Sequence, residues 1–269
     1  MWIKGLTATV FAAAMMASGG VSAAVLSGSS SATFSNLSGC DLSGSNRNCS
    51  ATSTNIQWGT SGGNSFANST HSSLTSAGTT FSNLNQPVTI GVASLTWYNA
   101  VNDGGNFPSS AGGGPRTPDF SVSWTVTINF TAPDVETSSR TFDLRIINTT
   151  NPTGDEIFII EESDLAALLN AINNDINDGP DAVLATAAYF TVDGGSLYDN
   201  VDAPNDGETH KDDFKWKNPE RGTSTLTLNV DFVCNANCQK SVPEPMTMGL
   251  LGAGLMGLGL TATRRRRIA

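Results

Sequence analysis

The chain has 269 residues, with 14 basic and 24 acidic side chains and a formal net charge of −10. All of the acidic residues lie between Asp41 and Glu244, and only nine of the basic ones lie outside the two ends, so the segment 24–263 carries about −15. A surface of this charge repels nucleic acid and anionic lipid headgroups, which excludes nucleic acid as a partner. It suits a solvated extracellular domain that meets divalent cations or neutral glycans.

Residues 1–23 have the composition of a signal peptide. A short region with Lys4 precedes the apolar stretch 5–17, and small side chains follow as far as Ala23. Because signal peptidase accepts only small side chains next to its cleavage site, we expect cleavage between Ala23 and Ala24. A short buried helix is the alternative. A signal peptide predicts an exported protein, with signal peptidase as a transient partner.

The four cysteines form two close pairs in the sequence, Cys40 with Cys49 and Cys234 with Cys238. Export favours their oxidation, and four cysteines permit three connectivities. Closing a short loop costs the least chain entropy, which favours the two local disulfides. Zinc is the alternative, although neither pair has a further His or Cys nearby to complete a four-ligand set.

Short strands are predicted in the first half of the segment that follows. The region 24–63 is rich in Ser, Gly and Asn, and its few apolar pairs predict brief strands separated by turns. From Val88 to Trp97 apolar and polar residues alternate, but the phase shifts by one residue. That shift predicts a β-bulge within the range 91–94.

The clearest strand runs from Phe120 to Phe130. An apolar residue occupies each even position, and Ser, Thr and Asn lie between them. This period of two predicts that the apolar face packs on a core and that the hydroxyl-rich face, with Ser123, is exposed to water and tolerates an added charge. Two similar runs, 142–146 and 226–232, also have a polar face, which is typical of antiparallel sheets.

One helix is predicted between the strands. Its apolar residues follow a helical period and form a single stripe, namely Leu165, Leu168, Leu169, Ile172 and Ile176. Ser163 can cap its start, Asp164 lies near the positive N-terminus, and Gly179 with Pro180 ends it. We expect the stripe to cover one end of the β structure; a cofactor or partner contact is the alternative.

These elements together predict the fold class. The segment 24–240 is expected to be mainly β, as one antiparallel, jelly-roll-like β-sandwich with one short amphipathic helix. The sequence has no internal repeat and no linker that would divide this segment.

The last residues, 241–269, have three parts in a fixed order. Pro243, Glu244 and Pro245 come first, the apolar run 246–263 follows, and Arg264, Arg265, Arg266 and Arg267 come last. As a helix, the apolar run would reach about 27 Å, which predicts a short transmembrane helix. The arginine cluster fixes the C-terminal end on the cytoplasmic side.

This order of motifs closely resembles the PEP-CTERM sorting signal. In that family exosortase, an integral-membrane cysteine protease, recognises the Pro-Glu-Pro motif and processes the tail. The resemblance implies exosortase as a partner, transient anchoring in the inner membrane of a Gram-negative bacterium, and delivery to the cell surface or to an extracellular matrix with exopolysaccharide. A permanent tail anchor is the alternative.

The middle of the chain has a weaker resemblance. The segment 90–99, the strand that begins at Phe120 and the segment 148–151 resemble the ectodomains of choice-of-anchor K proteins and of the THxN class of PEP-CTERM proteins. The THxN class has His after the threonine, whereas this chain has Trp97 after Thr96. The resemblance implies a β-sandwich and no particular chemistry.

No catalytic constellation is visible in the sequence. The segment 59–63, with Ser61, resembles the nucleophile loop of chymotrypsin-like proteases, but His71 and His210 both follow it in the chain, which is the wrong order. Glu161 and Glu162 are adjacent and would point to opposite faces of an extended chain. We therefore predict no enzymatic activity; an extracellular glycan-active hydrolase is the alternative.

Acidic residues are frequent between Asp193 and Asp213. Carboxylates along a loop can bind Ca²⁺, and the weak candidates are Asp199, Asp202, Asp206 and Glu208. Pro204 stands where an EF-hand loop would have an oxygen ligand. A solvated acidic loop is the favoured interpretation, so no cofactor is predicted and calcium is the alternative.

The sequence predicts a non-enzymatic surface or matrix protein that adheres to polysaccharide or to other envelope proteins. Aromatic rings can bind the apolar faces of sugars, and Trp97, Tyr98 and Trp216 are the candidates for such a platform, although such residues more often belong to the core.

Overall fold

The structure is a computed structural model. It describes residues 25–40, 42, 49–59, 70–100, 120–147, 155–160, 164–176, 183–201 and 213–234. The chain divides into two compact units, and the larger one, Ala23–Cys238, contains every described residue. The smaller unit, Met1–Ser22 with Gln239–Ala269, contains all but the last residue of the predicted signal peptide and the whole predicted sorting tail, and it lies outside the described residues.

Thirteen strands and one helix make up the described part of the chain. In chain order they are β1 (Leu26–Ser38), β2 (Cys49–Ala51), β3 (Asn55–Trp58), β4 (Ser72–Gly78), β5 (Thr80–Leu84), β6 (Val88–Tyr98), β7 (Phe120–Ala132), β8 (Glu136–Ile147), β9 (Asp155–Ile160), α1 (Asp164–Ile176), β10 (Val183–Asp193), β11 (Ser196–Val201), β12 (Asp213–Asn218) and β13 (Thr223–Cys234).

The strands form two sheets, and every described pairing is antiparallel. The seven-stranded sheet has the order β11-β12-β9-β8-β7-β1-β5, and the six-stranded sheet has the order β10-β13-β6-β4-β3-β2. The chain changes sheet repeatedly, for example from β4 to β5 and again from β5 to β6, whereas β7, β8 and β9 are consecutive neighbours in one sheet. The predicted mainly β, antiparallel architecture with a single helix is confirmed for the described residues.

Aromatic side chains from both sheets meet in one core. Phe130 of β7 lies against Phe232 of β13, with ring centroids 6.1 Å apart. Trp58 and Phe120 have centroids 5.2 Å apart. The fully buried indole of Trp124 donates a hydrogen bond from Nε1 to Ser76 Oγ across the sheets, at 2.8 Å. These contacts show that the two inner faces interdigitate, as in a sandwich.

Strand β7 confirms the predicted apolar stripe and corrects one part of the prediction. Its even-numbered residues from Phe120 to Phe130 are all buried. Ser123, however, is only 8% exposed on the opposite face. Its Oγ donates to Asp143 Oδ1 at 2.9 Å and accepts from the amide of Asn36 at 3.3 Å. The expectation that Ser123 is exposed is therefore wrong. An aspartate at this position would face another carboxylate, so we no longer expect an added charge to be tolerated there.

The predicted bulge in β6 is present. Leu228 pairs with Ala93, and Asn229 then pairs with Gly91, so that Val92 is the extra residue. Val92 and Ala93 are consequently both buried. The bulge explains the one-residue change of phase that the sequence shows.

The first strand is longer than predicted. The Ser-rich segment was expected to contain brief strands, but β1 has 13 residues and lies between β7 and β5. Hydrogen bonding on both sides outweighs its weak intrinsic preference for strand structure. Small side chains also let β1 approach β4, since a Cβ at Gly78 would lie only 2.1 Å from the carbonyl oxygen of Ser30.

Several strands were not predicted, and two of them occupy the supposed acidic loop. Asp199 lies in β11 and Asp213 begins β12, where its side chain is 1% exposed.

Strand β9 shows no alternation because both of its faces are covered. Its Ile157 and Ile159 enter the main core, whereas Phe158 and Ile160 form a small second cluster.

Helix α1 confirms the predicted helix. Its stripe buries Leu168, Ile172 and Ile176 in the sandwich core, against β8 and β10. The amide of Asn173 donates to Ala185 O at 2.9 Å and accepts from Ala185 N at 2.8 Å, which satisfies the backbone of β10, the edge strand of its sheet. The proposed cap Ser163 and the stop at 179–180 lie outside the described residues.

Candidate functional site

The predicted processing sites lie outside the described residues. This applies to the signal cleavage site at Ala23 and Ala24, to Pro243, Glu244 and Pro245, to the predicted transmembrane helix 246–263, and to Arg264 through Arg267. Within the ranges that the structure describes, no helix is both long enough and apolar enough to cross a membrane.

The first predicted disulfide is confirmed. Cys40 and Cys49 are bonded, with their Cα atoms 5.7 Å apart, so the bridge closes the loop between β1 and β2. Cys234, at the end of β13, is also disulfide-bonded. Cys238 lies outside the described residues, and its pairing with Cys234 stays a prediction.

The predicted aromatic platform is wrong for two of its three members. Trp97 and Trp216 are fully buried and pack edge to face between the two sheets, with centroids 5.2 Å apart. They cannot reach a sugar, because the inner faces of both sheets enclose them. Tyr98 points outward from β6 and is half-buried.

The two tryptophans belong to a buried group of side chains that we name the polar end cluster: Trp97, Asn99, Trp216, Asn218 and Ser224. All five are at most 2% exposed. The amide of Asn218 donates to Trp97 O at 2.9 Å, and the amide of Asn99 donates to Asn218 O, also at 2.9 Å. These bonds tie the end of β6 to the end of β12.

Only one of the four calcium candidates lies among the described residues. Asp199 lies within strand β11, whereas Asp202, Asp206 and Glu208 lie outside the described residues. Among the described side chains, no three His, Cys, Asp or Glu residues come together as a metal site would require.

The residues weighed for catalysis are only partly described. His71 Nδ1 lies 2.7 Å from the carbonyl oxygen of Gly59, so this histidine positions the start of the segment 59–63. Ser61, His210, Glu161 and Glu162 lie outside the described residues.

A polar cleft of about 400 Å³ lies where α1 begins, above the middle of β8. It is lined by Ser139, Arg140, Thr141, Asp143, Ile160 and Asp164. The guanidinium of Arg140 forms an ion pair with Asp164, the first residue of the helix. Because this carboxylate is already paired, the cleft presents mainly hydroxyl groups and the carboxylate of Asp143.

The outer surface of the seven-stranded sheet carries an ordered array of hydroxyl and amide groups. We name it the hydroxyl face, and it consists of three rows across β1, β7 and β8: Thr33–Thr125–Thr141, Ser31–Thr127–Ser139 and Ser29–Asn129–Thr137. All nine residues are exposed or half-buried, and none is charged. The sheet spacing places neighbouring side chains in one row about 5 Å apart.

Hydrogen bonds within the rows fix the orientation of these groups. Thr125 and Thr141 have hydroxyl oxygens 2.8 Å apart, and those of Thr127 and Ser139 are 3.1 Å apart. Thr137 Oγ1 donates to Asn129 Oδ1 at 2.9 Å. Each pair retains free donor or acceptor capacity, because a hydroxyl has one donor and two lone pairs. The face therefore offers preorganised neutral hydrogen-bonding groups.

From the sequence alone, the hydroxyl face was recognisable only as the polar side of β7. The alternation along β7 was visible, but the rows depend on the register of β7 with β1 and β8. The polar end cluster was missed because its two tryptophans were considered one at a time, as core or sugar-platform residues, and not as a contacting pair. A usable signal was an asparagine at the end of both strands, since Asn99 directly follows β6 and Asn218 is the last residue of β12.

Comparisons with known proteins bear on the tail. The family model described as the PEP-CTERM protein-sorting motif matches residues 241–267. No curated protein matches the chain. The match covers the Pro-Glu-Pro motif, the apolar run and the arginine cluster in the order that the sequence showed. The chain therefore carries a PEP-CTERM sorting motif, which indicates an exported, surface-directed protein that is sorted by exosortase.

Proposed function

We propose that the chain is a non-enzymatic protein of the cell surface or extracellular matrix, which associates with neutral exopolysaccharide through the hydroxyl face. The sorting motif at residues 241–267 supports delivery to the surface, where such polymers are found. The ordered, uncharged rows across β1, β7 and β8 are the observation that favours a neutral polysaccharide as the ligand.

The chemistry of the hydroxyl face matches that of a neutral sugar chain. Each sugar hydroxyl both donates and accepts, and so do Thr125, Thr127 and their partners on β8. Three rows of like groups repeat along the strands, so a chain of repeating sugar units can meet equivalent groups at successive positions. Many weak contacts along a polymer add up to a firm attachment.

Charge favours a neutral polymer over an anionic one. The segment 24–263 carries about −15, and the hydroxyl face has no cation among its nine residues. Arg145 lies on the outer side of β8 beyond the rows, in register with Ser121. Arg140 lines the cleft beside Ser139 and Thr141, but its guanidinium is paired with Asp164. An anionic polysaccharide would therefore be repelled over most of this surface.

Affinity electrophoresis of the full chain in detergent tests this proposal. We expect dextran, a neutral glucan, or the producing strain's own neutral polysaccharide to retard the protein, and alginate, an anionic polymer, not to. The double variant Thr125→Val, Thr141→Val removes one hydroxyl pair and should weaken binding about tenfold, since each hydrogen bond contributes about 1 kcal/mol.

The matched control lies on the opposite side of the sandwich. Thr96 and Thr225 form a similar pair on the outer face of the six-stranded sheet, with hydroxyl oxygens 3.4 Å apart. The double variant Thr96→Val, Thr225→Val should bind like the unchanged protein. Equal loss in both double variants, or retardation by alginate alone, would disprove binding at the hydroxyl face. Release of reducing ends during incubation would instead favour the glycan-hydrolase alternative.

A further inference from the structure

Four buried polar atoms of the polar end cluster lack a hydrogen-bond partner among the described residues. They are Trp97 Nε1, Trp216 Nε1, Asn218 Oδ1 and Ser224 Oγ. Their side chains are at most 2% exposed. Buried polar groups in native proteins are nearly always hydrogen-bonded, so four such atoms in one place require a partner.

The fold brings these four atoms to the same end of the sandwich. The rings of Trp97 and Trp216 are in contact, and Ser224 on β13 is the register partner of Trp97 on β6. Asn218 lies two residues after Trp216 on β12, and its amide nitrogen donates to Trp97 O. The four side chains therefore lie next to one another between β6, β12 and β13.

Elsewhere in the core, a buried indole N–H group is hydrogen-bonded by another side chain of the protein. Trp124 Nε1 donates to Ser76 Oγ at 2.8 Å, across the same interface between the sheets. The two indoles of the polar end cluster differ in this respect from the indole of Trp124.

The mixture of donors and acceptors defines the class of ligand. The two indole N–H groups can only donate, Asn218 Oδ1 can only accept, and the serine hydroxyl can do both. A metal cation would be repelled by the N–H dipoles. A simple anion would leave the amide oxygen unpaired. A water molecule can donate two hydrogen bonds and accept two. It can therefore accept from both indole N–H groups and donate to Asn218 Oδ1 and Ser224 Oγ.

We propose that the polar end cluster binds internal water, which joins the indole N–H groups of Trp97 and Trp216 to Asn218 and Ser224. Globular proteins hold on the order of one buried water per 27 residues, usually with two to four hydrogen bonds to polar groups that are otherwise unpaired. Here the hydrogen bonds of the water connect β12 of the seven-stranded sheet to β6 and β13 of the six-stranded sheet.

Thermal unfolding of the full chain in detergent gives the first test. Ser224→Ala removes a hydroxyl that binds the water, and we expect Tm to fall by about 2–4 °C. Ser94→Ala, on the outward side of β6, is the control and should leave Tm unchanged. If Ser224→Ala raises Tm or leaves it unchanged, the hydroxyl has no partner in the folded protein and the proposal is wrong.

A crystal structure of the full chain distinguishes water from a protein group. At a resolution of about 1.5 Å, we expect isolated density within hydrogen-bonding distance of both indole Nε1 atoms and of Ser224 Oγ. Density that is continuous with a side chain or the backbone, or a dry contact between the two rings, would overturn the proposal.

Discussion

Adjacent side chains on one strand have opposite environments, and β7 shows how this decides the effect of a substitution. Trp124 is fully buried between the sheets, whereas Thr127 lies on the hydroxyl face opposite Ser139. Ser123 lies on that same outer side, yet Asn36 and Asp143 enclose it. Position along a strand therefore predicts the direction of a side chain, but not its exposure.

The substitution Trp124→Asp should prevent folding. It places an unpaired carboxylate in the core and leaves Ser76 without its partner, at a cost of at least about 4 kcal/mol, close to the stability of a whole domain. Thr127→Asp on the outer face should lower Tm by no more than about 2 °C. Circular dichroism melting of both variants decides the question, and equal melting would mean that the stripe on β7 does not face a core.

The substitution Ser123→Asp should destabilise the protein by about 1–3 kcal/mol. It replaces a hydroxyl that donates to Asp143 Oδ1 with a second carboxylate at the same place. Chemical denaturation can measure the loss relative to Thr127→Asp. Adding Asp143→Asn should restore most of it, because the repulsion then disappears. A Ser123→Asp variant as stable as Thr127→Asp would contradict this account.

At the scale of the element, helix α1 is held by polar contacts as well as by its apolar stripe. Arg140 pairs with Asp164 at the start of the helix, and Ser138 donates to Asp175 near its end. Between them, Asn173 binds both backbone groups of Ala185. The helix therefore also protects one edge of the six-stranded sheet, which would otherwise be open to pairing with another chain.

The substitution Asn173→Ala should cost about 1–3 kcal/mol, since it removes two hydrogen bonds to the backbone of Ala185. Asn174→Ala is the matched control, because Asn174 is exposed on the same helix and gains the same helix propensity. Urea unfolding of the two variants gives the comparison. Equal midpoints would show that the edge of β10 does not depend on Asn173.

At the scale of the whole molecule, export and processing decide which chain is present at the surface. The sorting motif at residues 241–267 indicates processing by exosortase, and the disulfide of Cys40 with Cys49 is consistent with an oxidising compartment.

Mass spectrometry without reductant should find no free thiol in the exported protein. We expect peptides that link Cys40 to Cys49 and Cys234 to Cys238. The first bridge closes a short loop and should contribute about 2–3 kcal/mol, so the double variant Cys40→Ser, Cys49→Ser should melt earlier. A peptide that joins Cys238 to Cys40 or Cys49 would contradict the local pairing.

The mature protein should lack Arg264 to Arg267, and Glu244→Ala should leave full-length chain in the inner membrane. Proline on each side of Glu244 keeps the backbone extended, so that the segment can enter a protease cleft with a single charge to recognise. The intact mass of protein from the cell surface tests both statements, with Glu136→Ala as the control. A surface protein that still ends at Ala269 in a strain with working exosortase would identify the tail as a permanent anchor.

The sequence by itself determined the features that depend on local order. These features are the even-position stripe of β7, the phase shift at Val92, the helical period of α1 and the order of motifs in the tail. Each is formed by residues that lie close together in the sequence. A period of 2 or 3.6 residues follows from backbone geometry, and a sorting motif is recognised as a continuous stretch of sequence. Neither depends on contacts between distant segments.

Only the tertiary structure decided what lies beside each residue. Strand β1 forms because β5 and β7 pair with it, and β9 loses its alternation because both of its faces are covered. Trp97 and Trp216 are 119 positions apart, yet they are in contact in the core. The hydroxyl face likewise exists only in the register of three strands. These features depend on pairings between distant segments, whose free energy comes from burial and hydrogen bonding that no local pattern specifies.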